Sequence, residues 1–125
     1  MNYSISIILP ILNEINSLKK TLSILHKIKV DKEFIVIYSE KLTKNSIKDE
    51  IKSLKKKYKN FRCFKQIRPF VGGAIDLGII KAKKKHIALM ASDMETNPYE
   101  LKNMKISDVL SRSNLLLVEQ LILVL

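Results

Sequence analysis

Tryptophan is absent from this chain, cysteine occurs once, and glycine and proline contribute three residues each. A single thiol, Cys63, excludes an internal disulfide, and nothing in the cysteine usage argues for an oxidising compartment. It lies in "NFRCFKQI", a strand-like stretch in which a small core residue is the expected role. Histidine is also scarce. His26 and His86 stand far apart without ligand spacing, so neither is expected to bind a metal. Aromatic residues make up 6%, too few among the basic residues to form a row of platforms for stacked bases. Acidic residues are the minority, 12 against 23 basic ones, leaving a net charge of +11. That excess invites a nucleic-acid reading. The lysines, however, are spread along the chain and form no single arm, so the basicity reads as a compositional bias and nucleic acid as a poor candidate partner. The same field would favour an anionic ligand such as a nucleotide diphosphate.

Long apolar runs are missing too. "ISIILPIL" has no basic stretch ahead of it and no small-residue cleavage site after it, which argues against a signal peptide. "LLLVEQLILVL" spans 11 residues and contains Glu119 and Gln120. A bilayer-crossing helix needs about 20 apolar residues, so no transmembrane segment is expected.

What is present is enough for one domain with a modest core: 125 residues, 46% of them hydrophobic. "SISIIL", 4 to 9, reads as a β-branched strand running to Pro10. Ile15, Leu18, Leu22, Leu25 and Ile28 recur at helical spacing. "EFIVIY", 33 to 38, is apolar nearly throughout, as strands covered on both faces tend to be. Ser46 and Asp49 have the spacing of a capping box opening a helix whose buried stripe is Ile47, Ile51, Leu54 and Tyr58. A third strand is predicted over 61–67, with Phe61 and Cys63 on one side and Arg62 and Phe64 on the other. "FVGGA" then leads into a helix through 82 with Ile75, Ile79 and Ala82 on one face. "HIALM" is the fourth strand, and Asn97-Pro98 is positioned to cap and start a further helix.

The order βαβαβαβα predicts an α/β fold, an open, mostly parallel sheet with helices on both faces and right-handed crossovers. Ligands of such sheets bind beyond the carboxyl ends of the strands. That rule gathers four loops: "PILNE", "YSEK", "RPFVGG" and "ASDMET". Gly72 and Gly73 at a helix start would admit a phosphate to free backbone N–H groups, although the tight strand-to-helix turn alone explains two glycines. Neither a Walker loop nor G-x-G-x-x-G is present. Arg68 could hold a phosphate bidentately or simply face solvent. Asn13 and Glu14 could bond a base or ribose, or could serve as a helix cap and first-turn acid. Asp93 and Glu95 could hold Mg²⁺ or Mn²⁺, or form a polar loop before Asn97.

The four loops occur in order at strand ends, and here the sequence resembles glycosyltransferase family 2, whose fold is the Rossmann-like GT-A domain. "SIILPILNEINSLKKTL" looks like the family's P-x-Y-N-E opening, and "EFIVIYSEKLTKNS" stands where "IIVVDDGSTDGT" is usual. "RPFVGGAIDLGIIKAKKKHIALMASDMETNPYEL" resembles the glycine-rich turn followed by D-A-D. The nearest branch is the dolichol-phosphate-mannose-synthase-like one. The resemblance implies transfer of a hexose from a nucleotide-diphosphate sugar to a lipid-phosphate or polysaccharide acceptor, assisted by Mg²⁺ or Mn²⁺. It places Pro10, Asn13, Glu14, Gly72, Gly73 and Asp93 on the family's motifs, with Arg68 beside the diphosphate and Ser39 or Glu40 as a substitute at the second strand end. Glu95 is the replacement metal ligand, because Ala91 stands in place of the first acid. Leu12 replaces the usual aromatic, and Tyr38-Ser39 replace paired acids. No catalytic base is assigned. The resemblance divides the chain into a nucleotide-sugar-binding half, 1–105, and a divergent tail, 106–125, and implies a truncated domain, cytoplasmic or at the inner face of a membrane. A non-catalytic remnant binding a nucleotide weakly or not at all, and a basic nucleic-acid-binding domain, are the alternatives. The leucine-rich tail is expected to lack partner strands.

Overall fold

A computed structural model describes residues 4–68, 70–90 and 121–124. Its elements are β1 (Ser4–Ile11), α1 (Ile15–His26), β2 (Asp31–Tyr38), α2 (Asn45–Lys57), β3 (Phe61–Lys65), α3 (Phe70–Lys81), β4 (His86–Leu89) and β5 (Leu121–Val124). The five strands form one parallel sheet in the order β3-β2-β1-β4-β5.

The pleat divides the core in two. Ile5, Ile7 and Leu9 of β1, with Phe34 and Val36 of β2, meet Leu18, Leu22 and Leu25 of α1 and Ile51 and Leu54 of α2. Ile8, Ile35, Ile37 and Ile87 point to the other face, against Ala74 and Leu77 of α3. Each such aliphatic side chain contributes about 1.5–3 kcal/mol on full burial. The steps from β1 to β2 to β3 run one way across the sheet. The step from β3 to β4 runs back past β2 and β1. With right-handed crossovers, that reversal puts α3 on the face opposite α1 and α2.

The structure corrects five expectations. β1 continues through Pro10, which pairs with Ile37 of β2 although β1 is an inner strand. Alternate residues of a strand address alternate neighbours. The Met90 N–H donates to the Ile8 carbonyl, so Pro10, two residues on, turns its ring nitrogen to the same side, beyond the end of β4. No ladder bond to β2 is lost. β3 stops at Lys65, two residues short of the predicted end.

No capping box opens α2. Its N-cap is Lys44, no side chain caps it, and Ser46 lies inside the helix. A bond from another loop takes the role: the Lys44 N–H donates to Asn13 Oδ1 at 2.8 Å. In α3 the buried stripe is Gly73, Ala74, Leu77 and Gly78, while Ile75, Ile79 and Ala82 are only half-buried. A periodicity search favours large residues, but here small ones let the helix approach. A methyl on Gly78 would stand 2.5 Å from Ile8 Cγ2. Lastly, part of the leucine-rich tail has a partner strand: Leu121–Val124 pairs in parallel with β4, Leu121 opposite His86.

A buried polar cluster fastens the amino-terminal ends of the strands. Glu33, only 6% exposed, accepts from the Ser6 hydroxyl at 2.6 Å and the Lys83 N–H at 2.7 Å, and from Arg62 through both Nε and Nη2. Arg62 Nη2 also donates to the Lys81 carbonyl at 2.7 Å. Burial pushes the Glu33 carboxyl up, but the bonds from Ser6, the Lys83 N–H and Arg62 together outweigh it and hold it below the usual carboxylate range. Burial likewise raises the thiol of Cys63, which is only partly buried against the core, despite the opposing field of Lys55 and Lys52. Among the described residues, no helix is long and apolar enough to cross a membrane.

Candidate functional site

Because α3 lies opposite α1 and α2, the connection leaving β3 departs to a different face from those leaving β1 and β2. Neighbouring strands whose connections diverge open a crevice at their carboxyl ends. A cleft of 680 Å³ lies at that end, lined by the connections following β1, β2 and β3. From the first come Pro10, Ile11, Leu12 and Glu14; from the second Ser39, Glu40, Lys41 and Leu42; from the third Gln66, Ile67 and Arg68. Ala74 of α3 forms part of its wall.

Four of the expected site residues therefore face one cavity: Pro10, Glu14, Ser39 and Arg68. Arg68 is the most available of them for a ligand. Its side chain is 79% exposed, and its one ion pair among the described residues is a 3.9 Å contact with Asp76, itself 62% exposed, a contact of little strength. Ser39 is buried and shapes its own turn. Its N–H donates to Thr43 Oγ1, and its hydroxyl oxygen accepts from the Leu42 N–H, each at 3.1 Å. Glu14 folds back on its own loop, accepting from the N–H groups of Leu12 at 3.0 Å and Asn13 at 3.1 Å.

Asn13, Gly72 and Gly73 are not part of the cleft lining. Asn13 spans two loops instead. Besides accepting from Lys44, its amide donates to the Leu42 carbonyl at 3.1 Å. It fixes the second wall to the first and is not the N-cap of α1, which is Glu14, whose side chain makes no capping bond to the helix. Gly72 and Gly73 sit in the first turn of α3. Gly73 faces inward, where a side chain would collide with the Arg68 carbonyl, so a close backbone approach requires glycine there. Gly72 faces open space. Asp93 and Glu95 lie outside the described residues, as do the Asn97-Pro98 helix start and the rest of the tail up to Leu121. Among the described residues, no group of three histidine, cysteine or carboxylate side chains could hold a metal ion.

The sequence reading missed the apolar rim. Leu12, Leu42 and Ile67 line the cleft and are 46%, 66% and 85% exposed. Leu12 was noted only as a missing aromatic. Leu42 and Ile67 gave one available signal: each is a large aliphatic residue in a polar loop, outside any period of two or 3.6. Gln66 was missed because it lay inside the strand predicted over 61–67. In the structure its N–H donates to the Tyr38 carbonyl and its amide to the Arg68 carbonyl, which sets the third wall against the second.

Comparison with known proteins gives one positive finding. Residues 6–105 match the family described as "Glycosyl transferase family 2". No curated protein matches the chain. The match covers most of the 125 residues, and the chain belongs to that family.

Proposed function

We propose that this family 2 domain binds a nucleotide-diphosphate sugar in the cleft at the carboxyl end of its sheet, and that the sugar is a hexose destined for a lipid-phosphate or polysaccharide acceptor. The observation supporting this most directly is convergence: Pro10, Glu14, Ser39 and Arg68, which come from the ends of three strands and the connections after them, line one 680 Å³ cleft at the expected end of the sheet. The base would lie against Leu12, Leu42 and Ile67, whose aliphatic surface gains when a planar ring removes it from water. The diphosphate would run towards the Arg68 guanidinium and the first turn of α3, where Gly72 leaves the backbone uncovered.

A divalent Mg²⁺ or Mn²⁺ suits the family and the donor chemistry available to it. Both oxygens of Glu14 already accept from loop N–H groups, so this acid of the cleft lining makes a poor ligand. Asp93 and Glu95 supply the hard oxygen donors such ions take. Met90 is fastened to Ile8 at the end of the sheet. Asp93 follows three residues later, a reach of about 10 Å at most for an extended chain. The ion, when bound, supplies Lewis-acid stabilisation of charge on the diphosphate. The chain's own part is to grip the phosphates through Arg68, hold the base against the apolar rim and keep the three walls in register. A lipid-phosphate acceptor would place this work at the inner face of a membrane.

Calorimetry with uridine- and guanosine-diphosphate hexoses, with and without Mn²⁺, tests the reading. Asp93→Ala is expected to abolish the Mn²⁺-dependent part of binding, and unchanged binding in that variant would overturn the assignment. One observation favours a second reading, nucleotide binding without transfer: the polar groups of Asn13 and Glu14 are already engaged in loop bonds. Measurable donor hydrolysis or transfer would eliminate it.

A further inference from the structure

The opposite end of the sheet carries a second cleft, of 530 Å³, in which Lys32, Lys59, Arg62, Lys83 and Lys84 outnumber Asp31 and Glu33. It lies among the connections that enter β2, β3 and β4, so three loops distant in sequence deliver cations to one hollow. Its two acids are spent. Glu33 is turned inward to Ser6, Arg62 and the Lys83 N–H, and Asp31 pairs with Lys84 at 3.0 Å. Lys59 and Lys83 have no carboxylate partner among the described residues. Arg62 is held rigid by Glu33 and the Lys81 carbonyl, which take its Nε and Nη2 hydrogens and leave the Nη1 hydrogens in a fixed place for an oxyanion. Lys32 is tied to the Ile28 carbonyl at 2.7 Å, and burial lowers its pKa, a shift that a nearby anion would oppose.

We propose that this amino-terminal cleft is a binding site for a multiply charged phosphate group, recognised by Lys59 and Lys83 around the oriented guanidinium of Arg62. A concave cationic site concentrates field as well as counter-ions. This separates it from the lysines scattered over the helix surfaces. The phosphate could arrive as a free polyphosphate or as the headgroup of an anionic lipid, since both present the same oxygens.

The test uses the full chain, ¹⁵N-labelled, titrated with inorganic pyrophosphate at low ionic strength. Saturable shifts are expected at the amides of Asn60, Lys83 and Lys84. The double charge reversal K59E/K83E should weaken this binding on the order of tenfold or more. The charge-matched K20E/K52E, placed on exposed helix positions, should change it by about twofold or less. Equal losses in the two variants would reduce the effect to net charge and overturn the proposal. So would shifts confined to Arg68 and Gly72 at the other end. A second arm sediments the protein with phosphatidylglycerol or phosphatidylcholine vesicles. Binding only to the anionic vesicles, lost in K59E/K83E, supports the site with a lipid headgroup as its source. Absence of both pyrophosphate and vesicle binding overturns it. Circular dichroism of both variants controls for folding.

Discussion

Replacing Glu33 by glutamine tests how much the fold depends on one buried carboxylate. In the native chain, two oxygens serve three kinds of donor: the Ser6 hydroxyl, the Lys83 N–H and the Arg62 guanidinium. Glutamine keeps one oxygen and offers an amide with two hydrogens in place of the other. The Ser6 hydroxyl can rotate to accept, but Lys83 N–H and Arg62 can only donate. One of them must face the amide hydrogens. Arg62 loses its counter-charge while remaining mostly covered, with a side chain 26% exposed. Breaking a buried pair from one side costs about 3–5 kcal/mol. Arg62 keeps its bond to the Lys81 carbonyl and some contact with water, so about 3 kcal/mol is expected. For a chain of this size that is a fall in Tm of roughly 10 °C. Urea unfolding followed by circular dichroism measures it.

The pH dependence follows from the direction of the shift. Glu33 is held below its ordinary value in the folded state, so its contribution is present above the unfolded carboxylate value and is lost as pH falls through the folded one. The gap between wild type and Glu33→Gln should be full at neutral pH and close under acid. A loss under about 1 kcal/mol, or a gap that is the same at all pH values, would refute the reasoning.

Two further outcomes are expected. Gly78→Ala should destabilise by about 1–2 kcal/mol, because overpacking against the stiff, β-branched Ile8 exceeds the gain in helix propensity. In thermal melts, Ile8→Ala combined with Gly78→Ala should lose less than the two single changes together, and simple additivity would argue against the contact. Asn13→Ala removes the bonds to Lys44 and Leu42 and should lower the urea midpoint by an amount corresponding to about 1–2 kcal/mol; an unchanged midpoint would show that the two walls do not depend on it.

Much of the fold was legible because its signals are local. The stripe of Ile15, Leu18, Leu22 and Leu25, the apolar block of β2 and the alternation of Phe61, Cys63 and Phe64 each declare one element and one face. What escaped depends on contacts between elements. The start of α2 is set by Asn13, 31 positions away. The buried side of α3 is chosen by how closely glycines allow it to approach Ile8. A strand such as Leu121–Val124 is recognisable only once β4 offers it an edge. For the site, the rule of carboxyl-end loops gathered Pro10, Glu14, Ser39 and Arg68, which line one cleft. It could not show that Asn13 joins two loops or that Leu42 and Ile67 complete the wall. Those facts are three-dimensional, and no spacing encodes them.

The position of β1 also has a consequence for the order in which the protein can assemble as it is made. β1 is synthesised first, yet one of its two neighbours is β4. The Lys85 N–H that reaches the Ser4 hydroxyl comes 81 residues later. Until then β1, β2 and β3 can associate, but one side of β1 stays an open edge, and such edges invite pairing with other chains. The Glu33 cluster belongs to the same late event, because the Lys83 N–H and the Lys81 carbonyl arrive with the end of α3. The clasp at the amino-terminal end of the sheet is thus a closing step. A nascent chain released before it forms would expose an unpaired edge of its first strand to its neighbours.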